Sequence, residues 1–288
     1  MKRIKQGFTV IARMRAIRSL ALQLTLALLL PATALAAENR PRWEAGIAVG
    51  VASLPQYMGS DERYTFAVPL PYIIYRSERL NFGRNGLRAE LFDRGRLSVD
   101  LSLGAGMPVR NSNRARAGMP PLNFNLQAGP RINWQFYQTA HSALSLRLPW
   151  RGVMDIKGHY LGWVSEPDLY LRLIPSDNIE WRLTAGALFA SARYNDTYYS
   201  VAPAYATATR PAYQARGGLH SLSLGASMLW TLDDRLRLFG SVRYRNLSPG
   251  VVAGSPLVKT PHYLSAAIGL AWSFYQSDER VQSGTADD

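Results

Sequence analysis

The chain has 288 residues, 47% of them hydrophobic, an ordinary globular composition that bounds it to one large or two modest domains. Lys and Arg outnumber Asp and Glu by 33 to 20, but six of the basic residues and none of the acids fall within the first 36 positions, leaving 27 against 20, or +7; that weakens any nucleic-acid reading. There is no Cys, so disulfides and thiolate metal sites are excluded.

At the N-terminus, Lys2, Arg3, Lys5, Arg13, Arg15 and Arg18 precede the apolar run 20–30, then Pro31 and the small-residue segment Ala34-Leu35-Ala36-Ala37. A basic region, a short apolar core and an A-x-A site make a secretory signal peptide, 1–36, cleaved after Ala36 or Ala37. Met14 opens a tidier signal and is an alternative start. The apolar run falls short of the ~20 residues a spanning helix needs, and no second long apolar helix follows. The mature chain, 37–288, is therefore expected to be exported and to be either soluble or embedded by strands.

From residue 43 onward apolar and polar residues alternate, the period of a strand with two unlike faces. The phase holds through 43–53, 64–75, a short hairpin around Arg84-Asn85-Gly86, 96–107, 122–136, 143–150, 161–174, 179–190, 219–230, 235–246 and 263–274. In 122–136 every even position is apolar, from Leu122 through Trp134 to Phe136, while Asn123, Asn125, Gln127, Asn133 and Gln135 take odd ones. Most segments approach or exceed the ~10 residues of a tilted membrane crossing. Counting the hairpin as two gives about twelve strands, with ten as the lower bound.

Connections alternate between short turns, such as Asp93-Arg94-Gly95 and Leu232-Asp233-Asp234, and long loops at 108–121, 151–160, 193–216 and 247–262. Short turns at one end and long loops at the other predict an all-β fold: a closed antiparallel up-and-down transmembrane β-barrel, with periplasmic turns and extracellular loops, in the outer membrane of a Gram-negative bacterium. Closure removes edges that hydrocarbon would not tolerate. Trp43, Trp134, Trp181, Trp230 and Trp272 fall near periplasmic strand ends and Trp150 and Trp163 near extracellular ones, as two aromatic girdles require. Pro69, Pro71 and Pro130 conflict with strands, since each lacks a ladder N–H. Gly269, Trp272 and Phe274 in the last strand have the spacing of a closing strand read by barrel-assembly machinery. The polar tail 276–288 is expected to be periplasmic and without fixed structure.

Phase also selects lumen residues. Arg131, Arg147, Arg172, Arg182, Arg243 and Arg245 point inward with Asp100, Asp168 and Glu180, so an open lumen would favour anions, while a ladder of arginines would block it. His141, His159 and His262 fall in turns or loops and His220 on an outward phase; none sits in a nucleophile motif. His159 with Asp155 is too loose a pair to indicate a metal. In the first loop, Pro55, Tyr57, Gly59, Ser60 and Asp61 combine turn formers with one aromatic, which suits a loop tucked into the barrel mouth. Tyr194, Tyr198, Tyr199 and Tyr213 give the 193–216 loop an aromatic character that suits either recognition or packing within the loop.

These loops carry a family likeness. LPQYMGSDE (54–62), PLPY (69–72), YNDTYYSV (194–201), Pro211-Ala212-Tyr213, Gly217-Gly218-Leu219 and Ser255-Pro256-Leu257-Val258 resemble, in order, the MipA/OmpV family of outer-membrane proteins. Ser200 stands where the family pattern has a glycine. The resemblance implies a non-enzymatic scaffold that brings a murein-degrading lytic transglycosylase together with a murein-synthesising penicillin-binding protein, with outer-membrane lipid as its surroundings and no cofactor or catalytic residues. A small-solute, anion-favouring channel is the alternative, and a barrel hydrolase a more distant one. A scaffold for murein enzymes should use the short turns, the tail or the N-terminal segment, whereas the family motifs lie in outward loops.

Overall fold

The computed structural model describes residues 39–76, 80–83 and 86–282. The expected signal segment with Ala36 and Ala37, the hairpin tip at Arg84 and Asn85, and the last residues of the tail lie outside the described residues. The strand segments are β1 (Asn39–Pro41), β2 (Trp43–Pro55), β3 (Arg63–Tyr75), β4 (Leu80–Gly83), β5 (Gly86–Arg94), β6 (Leu97–Gly106), β7 (Asn125–Gln138), β8 (Ser142–Pro149), β9 (Arg151–Asp155), β10 (Tyr160–Ser165), β11 (Asp168–Ser176), β12 (Ile179–Ala190), β13 (Gly218–Thr231), β14 (Leu236–Asn246), β15 (His262–Gln276) and β16 (Arg280–Gln282); one helix, α1 (Ala192–Tyr199), lies in the loop before β13.

Neighbours in sequence pair antiparallel, and β15 returns to pair with β2, so the main sheet forms a ring. Two pairs of segments are single strands interrupted by proline. β7 pairs with β8 and β9 in one continuous register, Arg131 opposite Pro149 and Ala128 opposite Gly152. At the break, Trp150 donates its N–H to the Pro130 carbonyl at 2.9 Å, and Pro130 has no N–H to return. The break between β10 and β11 has the same cause: Ala187 donates to the Pro167 carbonyl at 3.0 Å without a reciprocal bond. Counted through these breaks, the ring has the twelve strands that the alternation predicts.

Pro69 and Pro71 sit mid-strand in β3 rather than at an end or a bulge. The hydrogen-bonded pairs of the β2–β3 ladder fall on even residues of β3, as Arg76 N–H to Arg42 and Gln56 N–H to Glu62 show. Odd residues present their N–H to the opposite edge, where, among the described residues, β3 meets β4 through Tyr75 and Phe82 alone. The missing N–H groups therefore cost no ladder bond.

The outward phase is apolar and exposed, as at Val49, Leu126, Leu224 and Ile268, while Asp100, Asn125 and Glu180 on the inward phase are buried. That inversion is the signature of a wall between lipid and a polar lumen. Trp43, Trp134, Trp181, Trp230 and Trp272 lie toward the periplasmic strand ends as expected. Trp150 and Trp163 stack at 4.3 Å beside the proline breaks, and their strands continue to Asp155 and back from Tyr160. The outer belt thus lies below the strand ends, not at them.

Two further expectations are corrected. The tail is not without structure throughout: β16 pairs with β1, Asn39 opposite Gln282 and Pro41 opposite Arg280, forming a two-stranded ribbon beside the periplasmic end. His220 does not face outward. A bulge opposite Leu188 and Phe189 shifts the β13 register between Ser221 and Leu219, and the extra residue turns inward; His220 is fully buried.

Candidate functional site

Among the described residues a buried apolar cluster fills the extracellular mouth, where the loops fold together with Tyr57, Val109, Leu122, Tyr194, Tyr198, Tyr199, Leu247, Val252 and Leu257 at its centre. The sequence motifs meet here. Pro55 and Tyr57 are buried, and the Tyr57 hydroxyl donates to the Leu257 carbonyl at 2.7 Å. Gly59 has φ +91°, a left-handed conformation that glycine adopts without strain. Its carbonyl accepts N–H groups from Lys259 and Thr260, and a Cβ there would stand 3.1 Å from Leu247 and 3.2 Å from Val258. Ser60 accepts from the Asn113 amide at 3.3 Å, while Asp61 stays exposed with Arg114 at 4.0 Å. The first loop therefore locks the 107–124 and 247–261 loops together.

Helix α1 is the centre of this plug. Ser191 caps it by accepting the Tyr194 N–H, the standard use of a hydroxyl at an N-cap. The Tyr198 hydroxyl accepts from the Asn125 amide of β7 at 2.8 Å. The Tyr199 hydroxyl donates to the Met58 carbonyl and lies 2.9 Å from His220 Nε2. Tyr194, Tyr198 and Tyr199 are buried and Tyr213 is half-buried, so packing, not an outward aromatic surface, is what these rings do. Burial raises the phenol pKa of Tyr57, Tyr194 and Tyr199 and pushes that of Tyr198 up to about 12. Ser200, in place of the family glycine, has φ −77° and accepts the Ala215 N–H at 2.8 Å; no left-handed backbone is needed there.

Below the plug, Arg131, Arg147, Arg172, Arg182, Arg243 and Arg245, all on the inward phase, each meet a carboxylate. Arg131 binds Asp100 through two N–H groups at 2.8 and 2.7 Å. Arg147 binds Asp168 at 2.7 Å and stacks on Tyr170. Arg172 and Arg182 share Glu180. Arg243 and Arg245 share Glu166, at 3.7 and 2.6 Å. Near the periplasmic end, Glu44 is fully buried and binds Arg237, Arg76, Tyr72 and Ser273. Glu44 and Glu166 lie on the inward phase of their strands, so alternation could have found them; so does Arg151, which donates to Ser102 and keeps the inward phase of Arg147 past Trp150, in a segment that the sequence pattern assigns to a loop.

Among the described residues, the His262 cluster has the contacts of an acyl-transfer site without its oxyanion donors. His262 lies between Ser248, at 3.1 Å from Nε2, and Tyr244, at 2.8 Å from Nδ1, which is the spacing of nucleophile, base and orienter. Yet the Ser248 N–H is spent on Asn246 and the Gly250 N–H on Leu247, and Pro249 has none. No local backbone donors remain to hold an oxyanion. His159 Nδ1 donates to the Asp155 carboxylate at 3.1 Å, and Asp155 also accepts the N–H groups of Lys157 and His159; the pair closes a loop. Gly269 lies within 2.9 Å of the Gly50 Cα from its would-be Cβ, a close strand approach, and Trp272 and Phe274 face outward and exposed beside it.

A family model described as MltA-interacting protein MipA matches residues 47–274. The chain is 30% identical over 105 residues to the outer membrane protein Omp26La of Vibrio anguillarum, a stretch that is 36% of this chain and 40% of that protein. It is 32% identical over 90 residues to the outer membrane protein OmpV of Vibrio cholerae serotype O1, 31% of this chain and 34% of that one. The matched stretches thus span less than half of either relative. Among solved structures, an outer-membrane channel from Pseudomonas putida F1 aligns at 9% identity and TM-score 0.43 over 84% of this chain and 98% of that chain. A FadL homologue of Pseudomonas aeruginosa aligns at 11% identity and TM-score 0.38 over 87% and 84%. Likenesses this loose carry nothing about function.

Proposed function

The chain belongs to the MltA-interacting protein MipA family of outer-membrane proteins, and from that premise we propose that it is a non-enzymatic scaffold for murein synthesis and turnover. Its partners on this reading are a lytic transglycosylase and a penicillin-binding protein. The observation that carries the reading is the β1–β16 ribbon. Murein enzymes work on the periplasmic side, and among the described residues the ribbon is a small two-stranded sheet, a kind of element that a partner can extend by strand addition. The family motifs in the outward loops find their use in folding the plug, which removes the conflict between their position and a periplasmic role.

The test is a pull-down of the full chain, tagged in an extracellular loop, from cross-linked and gently solubilised envelopes. Recovery of either enzyme class above an unrelated-barrel control supports the scaffold, and Val281→Pro, which breaks the ribbon without touching the ring, should reduce it. Recovery of neither overturns the proposal. The plug and the paired arginines weigh against an open anion channel. Sustained anion-selective conductance in a planar bilayer would make that second reading the better one.

A further inference from the structure

A cavity of about 510 Å³ opens among the extracellular loops, within the ~300–1,000 Å³ typical of small-ligand sites. Met119, Pro121, Leu161 and Tyr205 give it an apolar wall. Two charged groups in its lining lack a charged partner among the described residues. Arg116 is buried and donates only to two carbonyls, of Tyr198 at 2.9 Å and Pro120 at 3.4 Å. A guanidinium carries five N–H donors, and a buried charge is ordinarily paired. Asp196, exposed at the rim, accepts only the Gln214 amide at 2.7 Å. The third charged group, Asp155, is already spent on the loop that it closes.

An anion would gain from Arg116 and be repelled by Asp196; a cation would meet the reverse. A ligand with both charges satisfies both groups. We propose that this cavity binds a zwitterionic amino acid or short peptide with apolar side chains, its carboxylate on Arg116, its ammonium on Asp196 and its side chains along the apolar wall. The site is independent of the periplasmic scaffold role.

Calorimetric titration of the folded full chain in detergent micelles tests it, with Leu-Leu, N-acetyl-Leu-Leu, Leu-Leu amide and the neutral sugar maltotriose as probes. Leu-Leu should bind at one site, and blocking either end should weaken binding at least tenfold. Asp196→Asn, at an exposed position that leaves the plug intact, should erase the difference between Leu-Leu and its N-acetyl form while keeping the preference over the amide; Arg116→Lys should weaken Leu-Leu at least tenfold. Absence of saturable Leu-Leu binding, equal binding of the blocked forms, or tighter binding of maltotriose would each overturn the proposal.

Discussion

Replacing Glu44 by Gln removes one charge from the most enclosed ionic cluster of the lumen. The carboxylate has no exposed side-chain surface, and its partners Arg76 and Arg237 keep only 3% and 13% of theirs. It accepts from both guanidiniums, from Ser273 at 2.6 Å and from Tyr72 at 3.0 Å. A glutamine retains an acceptor but turns an NH₂ toward donors, and it takes the buried negative charge away from both guanidiniums. Breaking a buried pair in this way costs about 3–5 kcal/mol. Glu279, paired with Arg42 but 60% exposed, serves as the control, and Glu279→Gln should cost about 0–1 kcal/mol. Urea unfolding in micelles, followed by tryptophan fluorescence and by the heat-modifiable gel band, reads both. If Glu44→Gln costs no more than Glu279→Gln, the cluster is solvated and the reasoning fails.

Gly59→Ala should destabilise the plug by about 1–2 kcal/mol from left-handed strain alone, with the 3.1 Å approach to Leu247 adding to it; protease accessibility of the loops on whole cells measures this. Tyr199→Phe deletes the hydroxyl shared by Met58 and His220 and should cost about 1–3 kcal/mol, whereas Tyr199→Ser, which also empties a buried ring site, should cost about 3–5 kcal/mol; thermal loss of the folded band ranks the two. Alkaline pH should loosen the plug. The Tyr198 phenol is held at about 12, above its ordinary 10.0, so between these values the unfolded chain releases a proton that the folded one keeps, and stability falls as pH rises. Tyrosinate absorbance rising together with loop proteolysis over that window is the expected result; ionisation near 10 with the loops still protected would contradict it.

Much of this protein was legible because a β-barrel writes its two environments into alternate residues. The twelve strands and the inward phase of Arg131, Arg147, Arg172, Arg182, Arg243 and Arg245 follow from period two, and the girdle of Trp43, Trp134, Trp181, Trp230 and Trp272 follows from where the turns interrupt it. Alternation counts residues, so the bulge that turns His220 inward is invisible to it, whereas the proline breaks at Trp150 and Pro167 leave the phase unchanged because the register runs on through them. Pro69 and Pro71 looked like a conflict because the sequence does not say which edge of β3 is paired.

The loops mark the other limit. Tyr57, Tyr194, Tyr198 and Tyr199 are identifiable as aromatic, but a loop has no period, so nothing in the sequence separates a ring aimed at a partner from one packed against Leu257. The choice depends on contacts between segments about 60 to 200 positions apart, such as Ser255 to Tyr199 and Tyr57 to Leu257. Arg116 and Asp196 share a cavity for the same reason. The sequence by itself determined the compartment, the strand count and which side of the wall the regularly alternating residues face, because lipid and lumen act on every residue locally through the pleat. The tertiary structure alone decided that the mouth is filled, that Arg131, Arg147, Arg172, Arg182, Arg243 and Arg245 are paired, and that 39–41 and 280–282 form a ribbon, because each depends on long-range contacts that no local pattern encodes.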